Sequence, residues 1–320
     1  MSIIEKAARR IDQERGQAAP LPLAATPVPA AEAAADLDLM EALAVAAPPA
    51  AAPAPAAAAP SFTPVPDTEP AAPGAPRRQT RKVELDLAKM RASGMVTAAG
   101  GRTSLVEDFR IIKRPLLKRA FGERNPRENP GNLIMMTSSL PGEGKTYCAI
   151  NLAMSIAMEL DHTVLLVDAD VARPSVLNTL GLPAQRGLMD LLVDDKLDVS
   201  DVLLRTNVDT LSILAAGTST PRATELLASS TMANLVHEIS NRYPDRIVIF
   251  DSPPLLLTSE ARALAGHMGQ IVVVIEAQKT TQHAVGEALR QLEGCPNVNL
   301  IYNKTRDIPG IEETYDYHYG

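Results

Sequence analysis

The stretch NLIMMTSSLPGEGKT, residues 132–146, joins an apolar run to a glycine-containing turn and a lysine–threonine pair. An apolar run of this length that ends at a turn predicts a buried β-strand. Residues 145–160 then carry apolar side chains at helical spacing. A strand that leads through SLPGEGKT, residues 139–146, into a helix is the setting of a P-loop, so we expect a phosphate site here.

The residue types in this loop have separate chemical uses. Gly142 and Gly144 let backbone N–H groups approach phosphate oxygens closely. Lys145 supplies a positive charge to the β- and γ-phosphates, and Thr146 offers a hydroxyl to Mg²⁺. Ser139 stands where the pattern GxxxxGK[ST] has its first glycine, which is a small substitution.

Five further apolar runs follow the first strand and alternate with helical patterns. These runs are TVLLVDAD, LSILAAG, RIVIFDSPP, QIVVVIEA and VNLIYNK. Continuous apolar strands separated by helices predict an α/β fold, a P-loop NTPase with a mostly parallel sheet and helices on both faces. Between the third and fourth strands, residues 221–243 are predicted to form one long helix, with Pro221 at its entrance.

Carboxylates gather where two of these strands end. Asp168 and Asp170 close the second strand, and Asp251 closes the fourth. Clustered carboxylates repel one another unless a cation neutralises them, so the pattern indicates Mg²⁺. Asn303, after the last strand, is a candidate to bind the adenine ring, although asparagine also forms turns and caps.

The chain divides into five segments by composition. We predict an amphipathic helix at residues 1–17, a disordered Ala/Pro-rich linker at residues 18–78, and a helical lead-in at residues 79–130. A P-loop domain at residues 131–310 and a flexible tyrosine-rich tail at residues 311–320 follow. The linker is either low-complexity filler or a tether for the first helix, which would dock on a partner or a membrane surface.

Composition restricts the classes of function. The formal net charge is −7, which argues against nucleic-acid binding. The two cysteines form no CxxC pair and are expected to be free thiols in a reducing compartment. No run of about 18 apolar residues is present. We therefore expect a cytoplasmic protein.

Four motifs taken together resemble the bacterial tyrosine kinases (BY-kinases) of exopolysaccharide loci. They are TSSLPGEGKT, LLVDADVARPS, AAGTSTPRATELLASSTM and IVIFDSPPLL, in that order. The tethered N-terminus and the lead-in are most similar to the exosortase-associated tyrosine autokinases. One departure is Ala172, where the family usually has arginine; Arg173 follows at once.

This resemblance implies an ATP-dependent protein tyrosine kinase whose catalytic residues are Lys145, Asp168, Asp170 and Asp251. Asp168 would accept the phenol proton, while Thr146, Asp170 and Asp251 would bind Mg²⁺. The residues expected to contact ATP are Pro141, Gly142, Glu143, Gly144, Lys145, Thr146, Tyr147 and Asn303.

The tail ends in YDYHYG, with half of the six tyrosines of the chain. Tyr315, Tyr317 and Tyr319 are therefore the expected autophosphorylation sites, modified in trans within an oligomer.

The resemblance also implies partners. A ring-forming motif ExxRxxR corresponds to Glu107, Arg110 and Lys113, with lysine in place of the last arginine. Kinases of this type depend on a separate membrane-embedded activator of polysaccharide chain length, which would recruit the chain to the inner face of the membrane. A cognate tyrosine phosphatase is a further expected partner.

The alternative is a regulatory ATPase of the ParA/MinD type without kinase activity. Those ATPases carry an extra lysine five residues before the P-loop lysine, and this chain has Leu140 there. A non-catalytic, nucleotide-binding scaffold is a second alternative, which the complete set of polar residues disfavours.

Overall fold

The computed structural model describes residues 81–305, apart from positions 99, 102, 124, 126, 127 and 244. The segments predicted at residues 1–17, 18–78 and 311–320 lie outside the described residues. The strands are β1 (Arg81–Lys82), β2 (Leu133–Ser138), β3 (Thr163–Asp168), β4 (Leu204–Arg205), β5 (Leu211–Leu214), β6 (Arg246–Asp251), β7 (Gln270–Glu276) and β8 (Val298–Asn303). The helices are α1 (Leu87–Ala92), α2 (Ser104–Ala120), α3 (Lys145–Ala157), α4 (Val176–Thr179), α5 (Leu188–Val193), α6 (Val199–Val202), α7 (Ala223–Leu227), α8 (Ser230–Arg242), α9 (Ser259–Ala265) and α10 (Gln282–Gln291).

The described strands form one sheet in the order β1-β4-β5-β3-β6-β2-β7-β8. The six strands predicted from apolar runs are all present and pair in parallel, from β5 to β8. The other two strands are only two residues long, and β4 pairs with β5 in the antiparallel direction. Strand β6 lies between β2 and β3, so the carboxyl ends of these three strands meet at one edge of the sheet.

Alternating side chains of each central strand enter two separate cores. In β2, Leu133 and Met135 belong to one core, while Ile134 and Met136 belong to the other. Residues of α5 to α10 complete the first core, and residues of α1 to α4 complete the second. Because helices cover both faces, the strands are apolar throughout, which confirms the predicted fold class.

The helix predicted at residues 221–243 is two helices. Helix α7 ends at Leu227, and α8 begins at Ser230. Between them, Ser229 has an extended backbone with φ −79° and ψ 161°, and its hydroxyl accepts a hydrogen bond from the Met232 N–H at 3.2 Å. A serine N-cap therefore starts a new helix inside a sequence whose periodicity looks continuous.

The lead-in is part of the same body as the P-loop segment. Leu85, Met90, Phe109 and Leu116 are buried in the core that also contains residues of β2 and α3. Strand β1 extends the sheet beside β4. The predicted division between residues 130 and 131 is therefore not a structural boundary.

Lys113 points into its own chain, and the expectation that it contacts another subunit is wrong. The residue is 5% exposed, and its ammonium group donates to the Ser155 carbonyl at 2.7 Å. The same group pairs with Glu159 at 2.6 Å, which lowers the pKa of that carboxyl. Glu107 and Arg110 instead pair with each other at 3.0 Å on the exposed side of α2.

Lys113→Met is expected to lower the free energy of unfolding by about 1–3 kcal/mol, because the buried Ser155 carbonyl loses its charged donor. The matched control is Arg114→Met, which removes the same charge from the adjacent, exposed position of α2 and should change it by less than about 0.5 kcal/mol. Urea unfolding measures the free energy of unfolding of both variants. Equal effects of the two substitutions would contradict an internal structural role for Lys113.

Candidate active site

The loop between β2 and α3 has the backbone conformation that a phosphate site needs. Gly142 has φ +83° and Gly144 has φ +97°, a region that favours glycine. Gly144 is the N-cap of α3, and no side chain caps this end of the helix. The first N–H groups of α3 are therefore free of side-chain acceptors, as anion binding requires.

Glu143 stabilises this loop from inside. Its side chain is buried, with one carboxylate oxygen accepting from the Leu140 N–H at 2.7 Å and the other from the Thr280 hydroxyl. Its predicted contact with ATP is thereby limited to its backbone, because the carboxylate faces away from the cleft.

Lys145 lies between carboxylates from two strand ends. Its ammonium group is 2.8 Å from Asp170 Oδ2 and 3.5 Å from Asp251 Oδ1. Burial opposes the positive charge, but the charges of Asp251 and Asp170 outweigh it and raise the pKa of Lys145. The lysine therefore stays charged inside the site.

Thr146 connects the loop to the strand ends through its hydroxyl. This hydroxyl donates to Asp251 Oδ2 at 2.6 Å and lies 2.8 Å from the Ser175 hydroxyl. Burial raises the pKa of Asp251 to about 6, although Lys145 and the hydrogen bond from Thr146 act in the opposite direction. Ser175 was not predicted from the sequence, because a serine in a loop carries no motif of its own.

Asp168 is opposite Asp251 in the register of β3 and β6, and it is 1% exposed. Its Oδ2 accepts from the backbone N–H groups of Ser175 and Val176, both at 3.0 Å. Its Oδ1 is buried without a hydrogen-bond partner in the described part of the chain. Burial and the charge of Asp251 raise the pKa of Asp168 to about 7.

An open cleft lies over this network. Of the predicted residues, Pro141, Gly142, Gly144, Lys145, Thr146, Tyr147 and Asp170 line it. Ala172 and Arg173 also line it, so an arginine one position beyond the expected one reaches the same cleft. Asp168 and Asp251 lie beneath its surface.

The end of β8 fixes the P-loop from the other side. Asn303 Nδ2 donates to the Glu143 carbonyl at 2.8 Å, so the predicted adenine-binding residue holds the loop backbone. The next residue, Lys304, donates to the Gly142 carbonyl at 2.7 Å and pairs with Glu276 at 3.2 Å. Sequence reasoning missed Lys304, because no motif connects a lysine after the last strand to the loop.

The oxygen donors fit Mg²⁺ in type. Thr146, Asp170 and Asp251 supply a hydroxyl and carboxylates, the hard ligands that Mg²⁺ prefers. Across the described residues, no group of three or more His, Cys, Asp or Glu side chains is arranged to hold a metal by itself. A bound Mg²⁺ would therefore take further ligands from water or phosphate, as is usual for this ion.

Comparison with known proteins places this geometry in a family. Residues 131–303 match a family described as an AAA domain. The Putative tyrosine-protein kinase CapB of Staphylococcus aureus is 30% identical over 222 residues, covering 68% of this chain and 92% of that protein. The chain belongs to the bacterial tyrosine-protein kinase family. The resemblance seen in the motifs is thereby confirmed at the level of the family, while the exosortase-associated type stays a prediction.

Two further relatives of this kinase-family chain agree. Tyrosine-protein kinase YwqD of Bacillus subtilis is 35% identical over 162 residues, covering 51% of this chain and 67% of that protein. The kinase domain of the Escherichia coli tyrosine kinase ETK superposes with a TM-score of 0.54 at 26% identity, covering 63% of this chain and 78% of that structure.

Lys304→Met is expected to weaken nucleotide binding about threefold to tenfold, since the Gly142 carbonyl loses a charged donor that orients the loop. Calorimetric titration with a non-hydrolysable ATP analogue measures the dissociation constant. The matched control is Lys279→Met, because Lys279 pairs with Glu276 at 3.1 Å but, among the described residues, makes no hydrogen bond to the loop. Equal losses in both variants would refute a loop-positioning role for Lys304.

Proposed function

We propose that this protein is an ATP-dependent tyrosine autokinase. It transfers the γ-phosphate of ATP to tyrosines of its own C-terminal tail, in trans within an oligomer, and thereby regulates exopolysaccharide synthesis or export. The observation that carries the proposal is the position of Lys145, which lies charged and only 12% exposed between Asp170 and Asp251, at the N-terminus of a helix that no side chain caps.

ATP binding would use groups that the cleft already presents. The free N–H groups of the loop and of α3 would surround the phosphates, and Lys145 would move from the carboxylates toward the β- and γ-phosphates. Mg²⁺, held by Thr146, Asp170 and Asp251, would neutralise phosphate charge. Phosphoryl transfer asks the protein mainly for this positioning and charge neutralisation.

Asp168 is proposed to accept the phenol proton. A tyrosine hydroxyl has a pKa near 10, so it needs a base, and a base works best when its pKa lies near the working pH. The pKa of Asp168 is raised to about 7, and its Oδ1 is unpartnered among the described residues. Because Asp168 is buried, the loop of residues 170–175 would open before a phenol reaches it.

Two substitutions separate binding from transfer. Lys145→Met is expected to lose nucleotide affinity and all tyrosine phosphorylation, because the phosphates lose their charged ligand. Asp168→Asn should bind nucleotide nearly as well as the unmodified protein and lose phosphorylation at least about a hundredfold. Calorimetry and phosphotyrosine blotting give the two readouts. Normal phosphorylation by Lys145→Met would refute the P-loop assignment, and normal phosphorylation by Asp168→Asn would refute its role as base.

The tail is proposed as the substrate because its tyrosines follow shortly after β8 in the sequence. Tyr315, Tyr317 and Tyr319 lie within about fifteen residues of Thr305, a reach of roughly 50 Å when extended. Each phosphate would add about −1.5 to −2 charges at pH 7. Among the described tyrosines, Tyr302 is 66% exposed and provides an internal control for specificity.

A mixing experiment tests transfer between chains. The donor carries Tyr315→Phe, Tyr317→Phe and Tyr319→Phe with an intact site, and the acceptor carries Lys145→Met with an intact tail and a size tag. With Mg²⁺ and ATP, we expect mass spectrometry to find phosphate on the acceptor tail. Phosphate on the donor at Tyr302 instead, with an unlabelled acceptor, would contradict the proposal.

Assembly and recruitment are further parts of the proposal. Glu107 and Arg110 remain the proposed ring contacts on α2, without Lys113. No helix within the described residues has the length and apolar character to span a bilayer. We propose a cytoplasmic kinase recruited to the membrane by a separate membrane-embedded activator, with residues 1–17 as the docking segment and a phosphatase to reset the tail.

The ParA/MinD-like ATPase without kinase activity is the alternative proposal. Incubation of purified protein with Mg²⁺ and ATP, followed by phosphotyrosine mapping, distinguishes the two. Phosphate release without any phosphotyrosine would favour the ATPase.

A further inference from the structure

A second cluster of positive charge lies at the far end of the sheet from the ATP cleft. Arg205 on β4, Arg242 at the end of α8 and Arg246 at the start of β6 line one small cavity. The buried side chains of Leu165 and Ile239 also line this cavity, as does the carboxylate residue Glu238. Strand β6 runs from Arg246 to Asp251, so roughly 16 Å of strand separates the cluster from the acidic end of the ATP site.

Arg246 is the arginine of this cluster that has a buried donor without an acceptor. Its guanidinium group lies 3.8 Å above the centre of the Tyr243 ring. Its Nε is buried and has no hydrogen-bond partner in the described part of the chain. Leaving a buried, charged donor without an acceptor costs folding free energy. The cation–π contact attracts the positive charge to the ring but provides no acceptor for the Nε–H group.

The acids near the cluster leave most of its charge uncompensated. Arg242 pairs with Glu238 at 3.1 Å. Burial lowers the pKa of Arg246, and the charges of Arg242 and Arg205 act in the same direction, while Tyr243 and Asp245 act against them. Among the described residues, Asp245 forms no ion pair with Arg246. Within residues 81–305, Arg205 forms no ion pair and no side-chain hydrogen bond. Among the described residues, the guanidinium groups of Arg205 and Arg246 therefore have no acidic partner in an ion pair.

The chemistry that satisfies such a cluster is a compact oxyanion with several acceptors. Guanidinium groups present donors in a planar fork that matches phosphate oxygens, and such charge-assisted hydrogen bonds are the strong ones. The ring of Tyr243, which is 40% exposed beside the arginines, offers contact area for an aryl group that carries the phosphate.

We propose that Arg205, Arg242 and Arg246 form a binding site for a phosphate monoester, with phosphotyrosine as the class of ligand. Free inorganic phosphate shares the same chemistry, and the test separates the two. In the cell, the ligand would be the phosphorylated tail of another copy of this chain, and this part of the proposal rests on the proposed function. The site itself does not rest on it, because synthetic ligands test it directly.

The test is calorimetric titration of the full chain, with the ATP cleft first saturated by a non-hydrolysable ATP analogue so that the P-loop takes no phosphate. The probes are a peptide of residues 311–320 with its three tyrosines phosphorylated, the same peptide without phosphate, free phosphotyrosine, and inorganic phosphate. We expect the phosphorylated peptide to bind at least about tenfold more tightly than the unphosphorylated one. Binding of inorganic phosphate alone, sensitive to the arginine substitutions below, would overturn phosphotyrosine as the ligand and assign the cavity to free phosphate.

Arginine variants localise the binding. Arg205→Gln and Arg246→Gln are each expected to weaken phosphopeptide binding about tenfold. Arg91→Gln, which removes an exposed arginine outside the cavity, should leave it unchanged. Thermal unfolding shows whether Arg246→Gln perturbs folding. Because Arg205 is exposed, Arg205→Gln is expected to fold normally and keeps the test valid in that case.

Three further outcomes overturn the proposal. They are equal binding of both peptides, binding that is insensitive to Arg205→Gln, and the absence of binding by every phosphate compound. A failure of the kinase proposal looks different, because a chain without kinase activity still binds the synthetic phosphopeptide.

Discussion

The charge balance around Lys145 is the interaction on which the active site depends. Asp168, Asp170 and Asp251 come together because the parallel strands β3 and β6 end side by side at one edge of the sheet, and three buried carboxylates so close to one another would repel strongly. Lys145 offsets part of this repulsion through its pairs with Asp170 and Asp251. A nucleotide that draws Lys145 away leaves the carboxylates in need of another cation. The same geometry thus links phosphate binding to metal binding.

Much of this arrangement follows from local sequence. Apolar runs of four to seven residues predicted all six parallel strands, and the glycines before Lys145 predicted the P-loop between β2 and α3. The two-residue strands β1 and β4 gave no signal, because pairing with neighbours, not apolar content, defines them. The break at Ser229 was also hidden, since periodicity continues across it and only the cap geometry ends the helix.

Side-chain direction was the least predictable property. Lys113 matched a motif position for an intersubunit contact, yet it lies on the buried side of α2, where Ser155 and Glu159 of the neighbouring segment satisfy it. Asn303 was predicted to bind the adenine ring, which stays a prediction, and its amide also holds the backbone of the loop that would bind the phosphates. Lys304 and Ser175 act on the site through contacts between residues distant in sequence. Only the tertiary structure creates such contacts, so no motif reports them.

Gly144 shows how tightly the loop and the last strand are joined. Its φ of +97° would by itself admit asparagine or aspartate at some cost, since these residues visit left-handed backbone. A Cβ at this position, however, would lie 2.1 Å from Asn303 Nδ2. Any side chain at position 144 would therefore push the Asn303 amide aside and release the Glu143 carbonyl. The dependence runs in one direction: a substitution in the loop disturbs the end of the last strand, whereas a smaller residue at position 303 meets no obstacle at Gly144.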